Sequence, residues 1–285
     1  MSALEARLGI AGRHIWVVGA GGGGIGTAVA AELSRAGASV SALDRDRSAL
    51  DPTLAACEGA PGRVDPIVVD ATDRKAMEAF AKAEQEAGRI PDGLVNIVGG
   101  LARDQFGALI DTDDDTLDAV LRLNLRPAWL SSQLFARLRL EHPGPAAIVQ
   151  LASIAALQAM PFGASYSLAK AALISLARTQ SVEWGPHGIR VNTIAAGTIR
   201  TPRAGTEANP LDRVLPLGHR GSAQDIAGAA LFLLSDLSAF VTGQVIAVDG
   251  GASIKPSYLD DDALPVFVED EALRARLLGG AAGNR

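Results

Sequence analysis

Seven short runs rich in valine and isoleucine, separated by longer alanine- and leucine-rich stretches, are what most constrain the fold of this chain. They lie at 14–18, 39–43, 66–69, 93–98, 146–151, 190–194 and 244–248. Their hydrophobicity is nearly continuous rather than alternating, which suits strands covered on both faces, as in a parallel sheet. Stretches with helical character at about 25–36, 73–87, 115–139, 164–184 and 224–235 fall between them. This alternation predicts an α/β fold: a doubly wound parallel sheet of about seven strands with helices on both faces. Right-handed crossovers would bring the loops that follow the strands to one ligand-binding edge.

Bulk properties remove several classes of function. A net charge of −6 argues against a nucleic-acid partner, since binding phosphate backbones needs a basic face. The single cysteine, Cys57, excludes an internal disulfide and fits a reducing compartment. The opening MSALEARLGIAG lacks the basic-then-apolar order of a signal peptide, and no apolar run reaches membrane-spanning length. A cytoplasmic chain with no membrane contact is expected. The four histidines share no ligand spacing, so no metal site is expected. The acidic run 111–115 reads as a helix cap with favourable charge rather than a cation site.

The first run leads directly into Gly19-Ala20-Gly21-Gly22-Gly23-Gly24-Ile25-Gly26 and then an alanine-rich helix. A glycine-rich turn there lets backbone N–H groups approach a pyrophosphate at the helix N-terminus, as in Rossmann-type sheets. The G-x-G-x-x-G pattern can start at Gly19 or at Gly21, so its register is open. About eighteen residues on, the second run ends in Asp44-Arg45. A carboxylate there can accept hydrogen bonds from the adenosine ribose hydroxyls and repel a 2′-phosphate, which favours NAD over NADP. Arg45 could stack on adenine or pair with that phosphate. Asp70, at the end of the third run, could meet the adenine edge, with a helix N-cap in the same region as the alternative. Residues 1–251 are thus expected to form one dinucleotide-binding and catalytic domain.

Tyr166 and Lys170 are four apart in the helical stretch 164–184, which puts phenol and ammonium on one face. A phenol is a poor base at neutral pH, but a nearby cation favours its phenolate. Such a pair can move a proton on or off a substrate hydroxyl.

In company with these residues, the chain resembles the one-domain branch of the short-chain dehydrogenase/reductase family over roughly residues 10–251. The glycine loop, Asp44, Asp70, Asn96-Ile97-Val98-Gly99, Asn124, Ser153, Tyr166-x-x-x-Lys170, the 196–201 segment and Asp249-Gly250-Gly251 match in order and spacing. The resemblance implies that Tyr166 is the general acid/base and that Ser153 hydrogen-bonds the reacting oxygen. It implies that Lys170 holds the nicotinamide ribose and depresses the tyrosine pKa, and that Asn124 anchors a water. Pro127 cannot donate to the Leu123 carbonyl, so the helix should be disturbed beside Asn124. Cofactor contacts are implied at Gly19, Gly21, Gly24, Ile25, Gly26, Asp44, Arg45, Asp70, Ala71, Asn96, Val98, Gly99, Tyr166, Lys170, Gly197, Ile199 and Thr201. The family's T-G-x-x-x-G-x-G loop is altered: either Gly19 and Ala20 replace its first two residues, or one glycine is inserted. Asn96-Ile97-Val98-Gly99 replaces N-N-A-G, with two larger side chains beside the cofactor.

The expected activity is NAD(H)-dependent interconversion of a secondary alcohol and a ketone in a homo-oligomer, a dimer or tetramer. Leu157, Met160 and Phe162 either line an apolar pocket, suggesting an alicyclic or hydroxysteroid-like substrate, or are ordinary packing. The alternatives are a 3-oxoacyl-thioester reductase and a non-catalytic dinucleotide-sensing protein. Residues 197–222 form a lid-like stretch, and the extension 252–285 is expected to dock on that lid or on a neighbouring subunit.

Overall fold

The computed structural model describes residues 7–205 and 215–255. In chain order the main elements begin with β1 (His14–Val18), α1 (Ile25–Arg35), β2 (Ser39–Asp44), α2 (Asp51–Ala56), β3 (Val64–Val68) and α3 (Arg74–Glu86). Next come β4 (Gly93–Asn96), α4 (Asp114–Asn124), α5 (Arg126–Glu141), β5 (Ala146–Ser153), α6 (Ala164–Trp184) and β6 (Ile189–Ala196). The series ends with β7 (Ile199–Arg200), β8 (Gly221–Ser222), α7 (Ala223–Leu234) and β9 (Val245–Val248). Seven strands pair in parallel in the order β3-β2-β1-β4-β5-β6-β9, and β7 and β8 form a separate two-stranded ladder. The doubly wound sheet is the one expected. Most of the 252–285 extension, and with it the docking expected of it, lies outside the described residues.

All five residues of β1 are buried, because both faces of the sheet are covered. Ile15 and Val17 pack with Val29, Leu33, Ile226 and Leu233 beneath α1 and α7. Trp16 and Val18 face the other way, onto Met77, Phe80 and Phe135 of α3 and α5. The continuous apolar run is the consequence of this two-sided burial. At the sheet edge, Pro66 stands opposite Ala42. An edge strand tolerates its missing N–H.

Three differences from the sequence reading have local causes. The expected helix 115–139 is two helices, α4 and α5, meeting at Leu125 with Pro127 in the first turn of α5. Pro127 is the residue that cannot continue the ladder. The run expected to reach Val98 leaves the sheet at Asn96, since the Ile97 and Val98 N–H groups both turn onto the Val18 carbonyl, at 2.9 and 3.3 Å. The β7–β8 ladder was not expected, because two residues carry no readable period. Within the acidic run, Asp113 caps α4 by accepting a 2.7 Å bond from the Thr116 N–H, as expected.

Candidate active site

The carboxyl ends of the strands open into a cleft of about 1140 Å³. Its floor is the glycine loop. Gly19 turns the chain off β1 with φ +90°, and its N–H and that of Ala20 both reach the Leu43 carbonyl at 2.9 Å. At Gly26 a Cβ would overlap the Gly19 carbonyl oxygen, so only glycine lets α1 sit this close to β1. The working register therefore runs from Gly19 to Gly26. From first glycine to last, that span is one residue longer than in the family pattern, which fits an inserted glycine. Gly24 caps α1 without any side-chain hydrogen bond. The uncapped helix start faces the cleft through Gly24 and Ile25. A side-chain-free turn ending in orphan N–H donors fits a dinucleotide's pyrophosphate.

Two buried threonines fix this loop. The Thr27 and Thr53 hydroxyls are 2.7 Å apart and lie 3.1 and 2.7 Å from the Ala20 carbonyl. Their two protons are enough for one bond to that carbonyl and one between the hydroxyls. Thr27 also accepts from the Gly23 N–H at 3.1 Å. Neither threonine was expected from sequence, since their meeting depends on α2 folding back onto α1.

Asp44 and Asp70 stand at the ends of β2 and β3, on the far side of the cleft from Tyr166. One Asp44 oxygen accepts from the Gly21 N–H at 3.1 Å and the other from the Asp46 N–H at 3.2 Å. Each oxygen keeps acceptor capacity for another partner. The Asp70 carboxyl is held below the usual range, chiefly by the Thr72 N–H it accepts from. The cap of α3 is Asp73, not Asp70.

At the other end, Ser153 ends β5 and Tyr166 and Lys170 project from α6 into the same cleft. Lys170 is buried; its ammonium donates to the Leu151 carbonyl at 2.9 Å and lies 5.5 Å from the Tyr166 ring centre. Burial lowers its pKa to about 8. Burial also pushes the Tyr166 phenol above its ordinary value, against the opposing pull of a Ser153 hydrogen bond and the charge of Arg203. A Cβ at Gly99 would stand 2.9 Å from the Lys170 Nζ and 2.5 Å from the Asn124 Oδ1, so a bare glycine makes room for both.

Of the residues given a catalytic or cofactor role from the sequence, all but two line this cleft. Asn96 is the first exception and a correction. It is buried behind the wall, donating to Gln150 at 2.9 Å and accepting from Ser131 at 2.6 Å, and so ties β4 to β5 and α5. Asn124 is the second. Its amide accepts from the Gly100 N–H and donates to the Gly100 carbonyl, both at 2.8 Å, and also donates to Val120. It clamps the loop after β4 from behind. Leu157, Met160 and Phe162 stay outside the cleft, and Leu157 and Phe162 are exposed. Gly100, Leu151 and Arg203 belong to the site but carried no sequence signal, because two act through backbone and one through a lid turn.

A family model described as enoyl-(acyl carrier protein) reductase matches residues 19–253. The chain is 36% identical over 239 residues to a 3-oxoacyl-(acyl-carrier-protein) reductase of Thermotoga maritima, covering 81% of this chain and 94% of that protein. It is also 36% identical over 247 residues to a galactitol 2-dehydrogenase (L-tagatose-forming) of Cereibacter sphaeroides, covering 84% and 94%. A short-chain type dehydrogenase/reductase structure from Mycobacterium ulcerans superposes with a TM-score of 0.78 at 32% identity, covering 86% of this chain and 91% of that one.

Proposed function

The chain belongs to the short-chain dehydrogenase/reductase family of oxidoreductases, which use nicotinamide dinucleotides, and on that premise we propose that it interconverts a secondary alcohol and a ketone with NAD(H). One observation carries the reading: Tyr166, Ser153 and a buried Lys170 open on the same cleft as a side-chain-free pyrophosphate cradle. When bound, the dinucleotide supplies or accepts the hydride. Tyr166 takes the proton from the substrate hydroxyl during oxidation and returns it during reduction. Ser153 hydrogen-bonds that same oxygen and orients it. Lys170, held against the Leu151 carbonyl, keeps a positive charge beside the phenol and favours its phenolate. Asn124 holds Gly100, and with it the wall next to Lys170. NAD rather than NADP is supported by the Asp44 carboxylate after β2, although Arg45 also lines the cleft.

Tyr166→Phe tests the catalytic assignment. Turnover should fall by a factor of about 10² or more, the size of a general acid/base contribution, while NADH binding, followed by fluorescence, persists. Unchanged turnover would refute it, and parallel titrations with NADH and NADPH decide the cofactor. The resemblance to the 3-oxoacyl reductase favours a second reading, reduction of a 3-oxoacyl thioester, which a panel of ketones and thioesters separates. The apolar alicyclic substrate expected from sequence loses the pocket residues it rested on. An assembly of two or four copies is also proposed; Trp129 on α5 and Leu168 and Val182 on α6 expose apolar surface for one. Sedimentation would measure it.

A further inference from the structure

Arg203 belongs to the turn that follows Thr201 and Pro202, where the chain crosses above the glycine loop. A Cβ at Gly24 would lie 3.7 Å from Thr201, and one at Gly23 would lie 3.5 Å from Pro202. Arg203 then reaches across the mouth of the cleft. A Cβ at Gly100 would stand 2.7 Å from its Nη1 and 3.2 Å from its Cζ, so the guanidinium rests on a bare glycine. That glycine is the one Asn124 clamps by two bonds.

Charge in the cleft is divided unequally. The acids Asp44, at the end of β2, and Asp70, just after β3, stand at the end away from Tyr166, where Arg45 and Arg122 offset their charge. The catalytic end carries the Lys170 ammonium and the Arg203 guanidinium, whose charge is felt at the Tyr166 phenol. Among the described residues Arg203 has no carboxylate within ion-pair distance. The neighbouring wall, from Gly99 to Ala102 with Gln105, supplies no carboxylate either. A neutral substrate closing over this guanidinium would remove water from it without replacing the lost hydrogen bonds. A carboxylate or sulfonate would replace them with a charge-assisted, bidentate pair.

We propose that Arg203 is a specificity-determining residue that binds an anionic group on the substrate, so that the alcohol or ketone acted on is a short hydroxy acid or oxo acid. The inference rests on the alcohol–ketone reading above and names its substrate class. Pyrophosphate of the cofactor is the competing use of the guanidinium. It is disfavoured because Thr201 and Pro202, not Arg203, face the glycine loop, while Arg203 lies against Gly100 beside Gly99 and Lys170.

The test pairs 3-hydroxybutanoate with its methyl ester in NAD-dependent oxidation, for wild type and for Arg203→Gln. Wild type should prefer the acid in kcat/KM by about tenfold or more, which corresponds to about 1.4 kcal/mol. In the variant that ratio should collapse towards one, mainly through a raised KM for the acid. A wild-type ratio near one overturns the proposal. So does a variant that weakens NADH binding by the same factor as it lowers turnover of both compounds, which assigns the guanidinium to the cofactor. A second measurement needs no turnover: 3-oxobutanoate and its methyl ester are titrated into the enzyme–NADH complex and followed by nicotinamide fluorescence. Tighter binding of the acid that Arg203→Gln abolishes sustains the proposal even if neither alcohol is oxidised, in which case the alcohol–ketone reading alone fails. Equal binding of acid and ester overturns it.

Discussion

A buried lysine is a cost that a fold accepts for a reason. Lys170 is surrounded by protein, its ammonium donating to the Leu151 carbonyl, and desolvation brings it from 10.5 to about 8. A depression of that size corresponds to about 3 kcal/mol of destabilisation while the group is charged. Since the folded value lies below the unfolded one, the cost is complete below pH 8 and fades as pH rises from about 8 towards 10.5. Lys170→Met, which keeps the length of the side chain without its charge, should therefore raise thermal stability at pH 7 and lose that advantage near pH 10.5. Turnover should fall at the same time, because the phenol loses its neighbouring cation. Melting curves of both proteins across this range check the point, and a variant less stable than wild type at pH 7 would show that Lys170 is instead a net structural asset.

At the scale of an element, the glycine loop shows how differently two glycines of one turn act. Gly26 is needed for space: Gly26→Ala drives a methyl into the Gly19 carbonyl, pushes α1 off β1, and should cost about 1–3 kcal/mol together with most NADH affinity. Gly22 is needed for conformation alone. Nothing lies within 4 Å of a Cβ there, but φ is +82°, so Gly22→Ala should cost only about 1 kcal/mol and weaken NADH binding far less. Comparing the two by calorimetry and NADH titration tests the Gly19-to-Gly26 register directly; equal losses would contradict it. The loop, the strands and the Tyr166–Lys170 face were legible in the sequence because each has a period or a run of one residue type. The break at Leu125 was half legible, as Pro127 announced a disturbance but not two separate helices. Asn96 was misjudged as a cofactor contact, since a motif records which residue stands at a position and not which way its amide points. The Leu151 carbonyl had no signal at all, as a backbone acceptor is present in every residue.

Across the whole molecule, the sheet separates a chemically active edge from a structural one. The cleft occupies the carboxyl ends of the strands, while a buried ionic cluster ties β1, β2 and α3 together nearer the other ends. There one Glu84 oxygen accepts from His14 at 2.7 Å, Ser41 at 2.8 Å and the Trp16 indole at 3.0 Å, and the other accepts from Arg89 at 2.7 Å. Burial alone would raise this carboxyl, but the bonds from His14, Arg89 and Ser41 outweigh it and hold the pKa at about 2. The ordinary value is 4.5. A carboxylate depressed on folding contributes stability that is complete above about pH 4.5 and is lost as pH falls towards 2. Glu84→Gln, nearly the same shape, turns an acceptor of four donors into an amide whose NH₂ must face some of them. It should cost about 3 kcal/mol at neutral pH, and the gap to wild type should narrow as pH is lowered through 4.5. NADH affinity of the folded variant should remain close to wild type, because none of the donors touches the glycine loop. Acid titrations of thermal stability for the two proteins measure this, and parallel curves between pH 4.5 and 2 would mean that Glu84 is not the group whose protonation loosens the sheet.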